Sequence, residues 1–195
     1  MTNLVDFEFS KGHETFNFEY HGKYNVDELK KYVSSFIDQW EIDTDRQKEH
    51  VLHSSTQTYV MQDFSLDWKV GDGYNPTRKC EDEKLWSLVN PIISDAEQIH
   101  NGKSARILLV KLMPGENIIP HKDYGHYLGL FRRHHLPVIT EPRVLFTIQD
   151  ENLSMEQGDL WEINNNKFHS VHHMGKEIRV HLLFDIAPNK FLRKI

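Results

Sequence analysis

Two stretches in the first half of the chain carry apolar residues at helical spacing. Over residues 26–40 these are Val26, Leu29, Tyr32, Val33, Phe36, Ile37 and Trp40, which fall on one face of a helix. Asn25 precedes them as an N-cap, and Glu28 three residues later completes a capping-box pattern. Residues 82–99 carry a second stripe of Leu85, Leu88, Val89, Ile92, Ile93, Ala96 and Ile99, interrupted by Pro91, which predicts a kink or a split there. Both stripes read as faces that pack on a sheet. Between them, TQTYVMQDF (56–64) predicts a strand and WKVGDGYNPTRKCEDE (68–83) a loop.

From residue 105 the period changes. Seven short apolar runs alternate with turn signals: ARILLVKLMPG, NIIPHKDYG, HHLPVIT, RVLFTIQD, GDLWEINNN, FHSVHHMG and IRVHLLFDIAP. This predicts an antiparallel sandwich or barrel, mainly β, buttressed by the N-terminal helices. Residues 1–195 are expected to form one domain, with 1–104 as a mixed support region and 105–188 as the catalytic part. No repeat, low-complexity tract or linker divides them.

Composition narrows the class. The 195 residues are 38% hydrophobic and 27% charged, as in ordinary globular proteins. A formal net charge of -6 gives no electrostatic reason to bind nucleic acid or anionic membrane. The single cysteine, Cys80, excludes an intramolecular disulfide. There is no signal-peptide pattern and no apolar run of membrane-spanning length, so the expected location is the cytoplasm.

The 13 histidines change the picture. In PHKDY, His121 and Asp123 are two residues apart, so on a strand they project from one face. Two His and one carboxylate suit non-haem Fe(II) and leave coordination positions open. In a chain so rich in histidine one such pair arises by chance, so the reading needs a third ligand and an anchor for a co-substrate. His169, His172, His173 and His181 are candidates for the third ligand. His169 lies ten residues before Arg179, whose planar fork suits a carboxylate. A hairpin of His169–Met174, a turn at Gly175 and a strand from Ile178 would bring Arg179 toward the metal. His172 and His173 are expected not to be ligands.

The segments PGENIIPHKD (114–123), RHHLPVIT (133–140), GDLWEINN (158–165) and HSVHHMGKEIRVHLLFD (169–185) resemble the aspartyl/asparaginyl β-hydroxylase family, which includes relatives that hydroxylate free proline. The resemblance covers about eighty residues, the whole predicted barrel. It implies a double-stranded β-helix (jelly-roll, cupin-like) and assigns His121, Asp123 and His169 to iron. It assigns Arg179 to the distal carboxylate of 2-oxoglutarate and places Arg133 and His135 beside the co-substrate. Some relatives carry a serine on the strand before PHKD, where this chain has Val110.

The implied activity is hydroxylation of an unactivated C–H of an amino acid or of an Asp-, Asn- or Pro-like residue in a peptide. Fe(II), 2-oxoglutarate and O2 are required, and succinate and CO2 are released. Two alternatives stay open: a cupin-type Zn or Mn enzyme without 2-oxoglutarate, and an inactive binding module. The loop YGHYLGLFR from Tyr124 to Arg132 leaves the expected ligand pair directly and is expected to act as a lid, with Tyr127 and Arg132 gripping substrate. The oligomeric state is not legible.

Overall fold

A computed structural model describes residues 16–40, 56–123 and 127–192. The elements in chain order are β1 (Phe18–Lys23), α1 (Asp27–Phe36) with a 3-10 turn (Ile37–Gln39), β2 (Thr56–Asp63), β3 (Thr77–Arg78), α2 (Glu83–Ile99), β4 (Gly102–Leu112), β5 (Asn117–His121), β6 (Arg132–Ile139), β7 (Val144–Ile148), β8 (Glu151–Leu153), β9 (Asp159–Ile163), β10 (His169–His173), β11 (Arg179–Pro188) and α3 (Asn189–Leu192). They form a seven-stranded sheet, β1-β9-β6-β11-β4-β2-β3, and a four-stranded sheet, β5-β10-β7-β8. All pairs are antiparallel. This is the antiparallel sandwich expected from the seven runs, each of which forms a strand, and the jelly roll that the family resemblance implies.

The period-2 alternation sorts the large sheet into two faces. On β11, Val180, Leu182, Phe184 and Ile186 join the core beneath the helices, together with Ile107 and Leu109 of β4 and Leu136 and Val138 of β6. Leu85, Trp86, Val89, Ile92, Ile93 and Ala96 of α2, and Leu29 and Val33 of α1, cover that face. The alternate residues, Arg179, His181 and Leu183 of β11 and Arg133 and His135 of β6, line a cavity between the sheets.

Four expectations change. The strand expected at 56–64 forms as β2, but it and β1 are members of the large sheet, so that sheet is not confined to residues after 105. α2 runs unbroken through Pro91, its apolar stripe held on the sheet by burial. Asn25 is not the N-cap of α1. Val26 occupies that position without a side-chain bond, and Asn25 Oδ1 accepts from the Asp27 amide at 3.0 Å, one residue earlier than the capping box requires.

The fourth change is topological. β10 and β11 do not form a hairpin, because β10 pairs with β5 and β7 while β11 pairs with β4 and β6. The connection through Gly175 crosses from one sheet to the other. A turn signal fixes where the chain reverses and not which sheet receives the next strand. No helix among the described residues is long and apolar enough to cross a membrane.

Candidate active site

The antiparallel register of β5 and β10 sets His121 directly opposite His169. Their ring centroids are 4.3 Å apart. Asp123 lies two residues beyond His121, just past the end of β5, where its amide donates to the Asn165 carbonyl at 3.2 Å. Its carboxylate returns to the pair: Oδ1 is 3.8 Å from His121 Nε2 and Oδ2 is 3.9 Å from His169 Nε2. One donor atom from each residue lies within 4.8 Å of the others. Modest side-chain rotation therefore suffices to set all three ~2.0–2.2 Å from one ion.

The tautomers are held by the backbone. His121 Nδ1 lies 2.8 Å from the Ile119 carbonyl and His169 Nδ1 lies 3.0 Å from the Lys167 carbonyl. A carbonyl only accepts, so each Nδ1 carries the proton and each Nε2 offers its lone pair to the centre. Burial pushes the His169 imidazole below its usual range, which keeps it neutral as a ligand must be. The donor set, two imidazoles and a carboxylate, fits a divalent first-row ion such as Fe(II).

Arg133 and His135 reach the cavity as the parity of β6 requires, whereas Arg132 and His134 face the helix side. The guanidinium of Arg133 is engaged by protein carboxylates. Its Nε and Nη2 donate to the two oxygens of Asp185, each at 2.8 Å, and Nη1 donates to Asp123 Oδ2. Burial alone would lower its pKa, but Asp123 and Asp185 override that and hold it charged. Arg133 thus contacts the carboxylate of Asp123 from within the same cavity that Arg179 lines.

Asp185, which pairs with Arg133 at the site, did not stand out in the sequence. It sits on β11 at the same parity as Arg179, His181 and Leu183, and is directly paired in register with Arg133. A carboxylate inside the apolar run LLFDIAP was the available signal.

Arg179 is buried in the same cavity and is treated differently. Its Nη2 donates to His181 Nδ1 at 2.8 Å, and its Nε has no partner. Among the described residues no carboxylate forms an ion pair with it. Burial pushes its pKa down to about 9. The neighbouring imidazoles of His135 and His181 are held well below their usual range, first by burial and then by the Arg179 charge. His181 is thus a neighbour of Arg179 and not a member of the triad. His172 points to solvent and His173 is buried outside the cavity, as expected of non-ligands.

Thr56, Val110, Ile118, Phe146 and Val171 complete the wall. Thr56 comes from β2, outside the stretch read as catalytic.

The expected lid is corrected. Residues 124–126, including Gly125, lie outside the described set, but Tyr127 is fully buried and packs with Phe64 and Phe131 in a core cluster. Arg132 begins β6 on the helix side and pairs with Glu162 at 3.1 Å. Tyr127, read as a substrate grip, is instead part of a core cluster with Phe64, Trp68 and Phe131.

A sequence model described as Aspartyl/Asparaginyl beta-hydroxylase matches residues 26–188. An L-proline cis-4-hydroxylase of Rhizobium meliloti (strain 1021) is 31% identical over 91 residues, which are 45% of this chain and 32% of that protein. The match thus spans about a third of the relative's length. Among solved structures, a 2OG-Fe(II) oxygenase family oxidoreductase from Burkholderia pseudomallei superposes with a TM-score of 0.60 at 8% identity, covering 97% of this chain and 93% of that one. A prolyl hydroxylase from Trichoplax adhaerens, in complex with a hypoxia inducible factor peptide fragment, gives 0.58 at 13% identity over 95% and 90% of the chains. These likenesses show the fold.

Proposed function

The chain belongs to the aspartyl/asparaginyl β-hydroxylase family, and on that premise we propose that it is an Fe(II)- and 2-oxoglutarate-dependent dioxygenase. Its substrate is an amino acid or a peptidyl residue, Asp-, Asn- or Pro-like, hydroxylated at an unactivated carbon. The observation that carries this reading is a buried arginine, Arg179, with no carboxylate partner among the described residues, in the same cavity as the His121–Asp123–His169 cluster. A charge taken out of water needs a partner. A dicarboxylate that reaches the metal at one end and a guanidinium at the other supplies it.

His121, Asp123 and His169 would hold the iron. When bound, iron with 2-oxoglutarate and O2 supplies the oxidising power, converting 2-oxoglutarate to succinate and CO2 and adding one oxygen atom to the substrate. The chain's residues position and shield that chemistry. Arg133, clamped by Asp185, fixes the orientation of the Asp123 carboxylate. His181 accepts a hydrogen bond from Arg179 and aims the remaining N–H groups into the cavity, where they donate to the distal carboxylate. His135 stays neutral beside them and adds no competing charge. Val110, Ile118, Phe146, Val171 and Leu183 exclude water, which strengthens each polar contact made in the cavity. The L-proline cis-4-hydroxylase relative supports free proline and similar amino acids as first substrates to test.

The test is an anaerobic incubation with Fe(II), 2-oxoglutarate and a panel of amino acids and short peptides, followed by admission of air. Stoichiometric succinate and a product heavier by one oxygen atom are expected. Substrate oxygenation that proceeds without 2-oxoglutarate, or turnover supported by Zn(II) alone, would contradict the proposal.

A further inference from the structure

The helix-side face of the large sheet carries a second set of metal-ligand side chains. His21 lies on β1, His134 on β6 and Glu162 on β9, while His100 follows the last residue of α2. One donor atom from each lies within 4.8 Å of the others. His100 Nε2 and His134 Nε2 are 3.0 Å apart, and Glu162 Oε2 is 3.2 Å from His21 Nε2 and 3.4 Å from His100 Nε2. In a tetrahedral shell with ligands at ~2.0–2.1 Å, neighbouring donor atoms are ~3.3 Å apart. These three donor pairs are already close to such a spacing, and the remaining pairs lie within 4.8 Å.

Their orientation agrees. His134 is fully buried and stacked on Phe184, with centroids 5.0 Å apart and rings 7° from parallel. Its Nδ1 lies 3.1 Å from the Arg132 carbonyl. That nitrogen must donate, so the lone pair of Nε2 faces the cluster. A backbone carbonyl behind the ring is the usual means of fixing a metal-bound imidazole.

Glu162 is fully buried, and Arg132 Nη1 takes its Oε1 at 3.1 Å, which leaves Oε2 for the three imidazoles. A solvent-facing depression lined by Phe16, Phe18, Glu19 and Ile99 gives an ion access. The cluster lies on the opposite face of β6 from Arg133 and His135, so it is separate from the cavity described above.

We propose that His21, His100, His134 and Glu162 form a second, structural metal site for a Zn2+-class divalent ion. Three imidazoles and one carboxylate close a tetrahedral shell with no position left for substrate. The ion would tie β1 and the end of α2 to β6 and β9, elements that come from distant parts of the chain.

The test uses the full chain carrying His121→Ala and His169→Ala, which removes two ligands of the first centre. After chelator treatment it is titrated with Zn(II) and, separately, with Co(II). One Zn(II) per chain, a raised Tm and the intense visible bands of tetrahedral Co(II) are expected. Adding His21→Ala and His100→Ala, whose side chains are only 10% and 11% exposed but sit at the rim, should weaken Zn(II) binding by at least ~100-fold, beyond the 10–100-fold typical of outer-shell changes. Should that variant fold poorly, His100→Gln alone, read by the Co(II) spectrum, makes the same decision. Absence of stoichiometric Zn(II), an octahedral Co(II) spectrum, or binding unchanged in the rim variants would overturn the proposal and leave the cluster a hydrogen-bonded network.

Discussion

The two arginines on the cavity wall are almost equally buried, Arg133 at 4% exposure and Arg179 at 2%, yet the protein answers them in opposite ways. At the Asp123 end, Arg133 is neutralised by a bidentate pair with Asp185 and a third contact to Asp123. At the other end, Arg179 meets an imidazole and an apolar wall. A charge matched by the fold belongs to the architecture, and a charge left unmatched is a place for a ligand. The contrast is the basis for proposing that Arg133 holds the metal ligand and that Arg179 binds the co-substrate.

The largest effect should come from breaking the matched end. Asp185→Ala leaves Arg133 buried with one carboxylate instead of two, and should cost about 3–5 kcal/mol of stability, read as a lowered urea midpoint. Replacing both partners with apolar residues, Arg133→Met with Asp185→Leu, should cost less than the sum of the single changes. A double variant as unstable as that sum would mean the pair does not act as a unit.

At the unmatched end the sign reverses. Arg179→Met removes a buried cation with no ion-pair partner and should leave the ligand-free protein as stable or more stable, by about 1 kcal/mol or more. A clear loss of stability would show that the fold depends on Arg179 and would erase the comparison.

Acid should act on the same end. His135 and His181 have folded pKa values depressed by burial, so the unfolded chain binds protons first as pH falls below about 6.5. Stability should therefore fall on acidification from that point, by up to about 1.4 kcal/mol per pH unit for each residue, until the folded-state values are reached. Urea midpoints at pH 7.0 and 5.5 measure this. The His181→Phe variant should show a shallower acid slope, and an equal slope would assign the loss elsewhere.

The smallest effect concerns Tyr127. Its hydroxyl is buried without a hydrogen-bond partner, so Tyr127→Phe should change stability by less than about 1 kcal/mol and leave substrate KM unaltered. A raised KM would restore Tyr127 to substrate recognition.

Much of this was legible in the chain, and the failures have physical causes. All seven apolar runs after residue 105 are strands because period-2 alternation survives any choice of strand partner. The partners themselves were not legible, as the His169–Met174 segment shows: its turn is real, yet β10 and β11 belong to different sheets. β8 is three residues long and too short to show a period. The pairing of His121 with Asp123 could be read because the two lie two residues apart, a local relation, whereas spacing left four histidines open as the third ligand and His169 came only with the family resemblance. Asp185 could have been read by carrying the parity of Arg179 along β11. The cluster of His21, His100, His134 and Glu162 could not, since its members are spread from residue 21 to residue 162 and meet only through the order of strands in the sheet.

The central claim is that Arg179 binds the distal carboxylate of 2-oxoglutarate. It is tested most directly by anaerobic titration of the Fe(II)-loaded chain and its Arg179→Ala variant with 2-oxoglutarate and with 2-oxobutyrate, which lacks that carboxylate. Truncating one side of a buried charge pair costs roughly 2–5 kcal/mol. The variant should therefore bind 2-oxoglutarate at least ~30-fold more weakly, at 1.4 kcal/mol per tenfold, and should bind 2-oxobutyrate as the natural chain does. Equal weakening of both ligands, or of neither, would contradict the account.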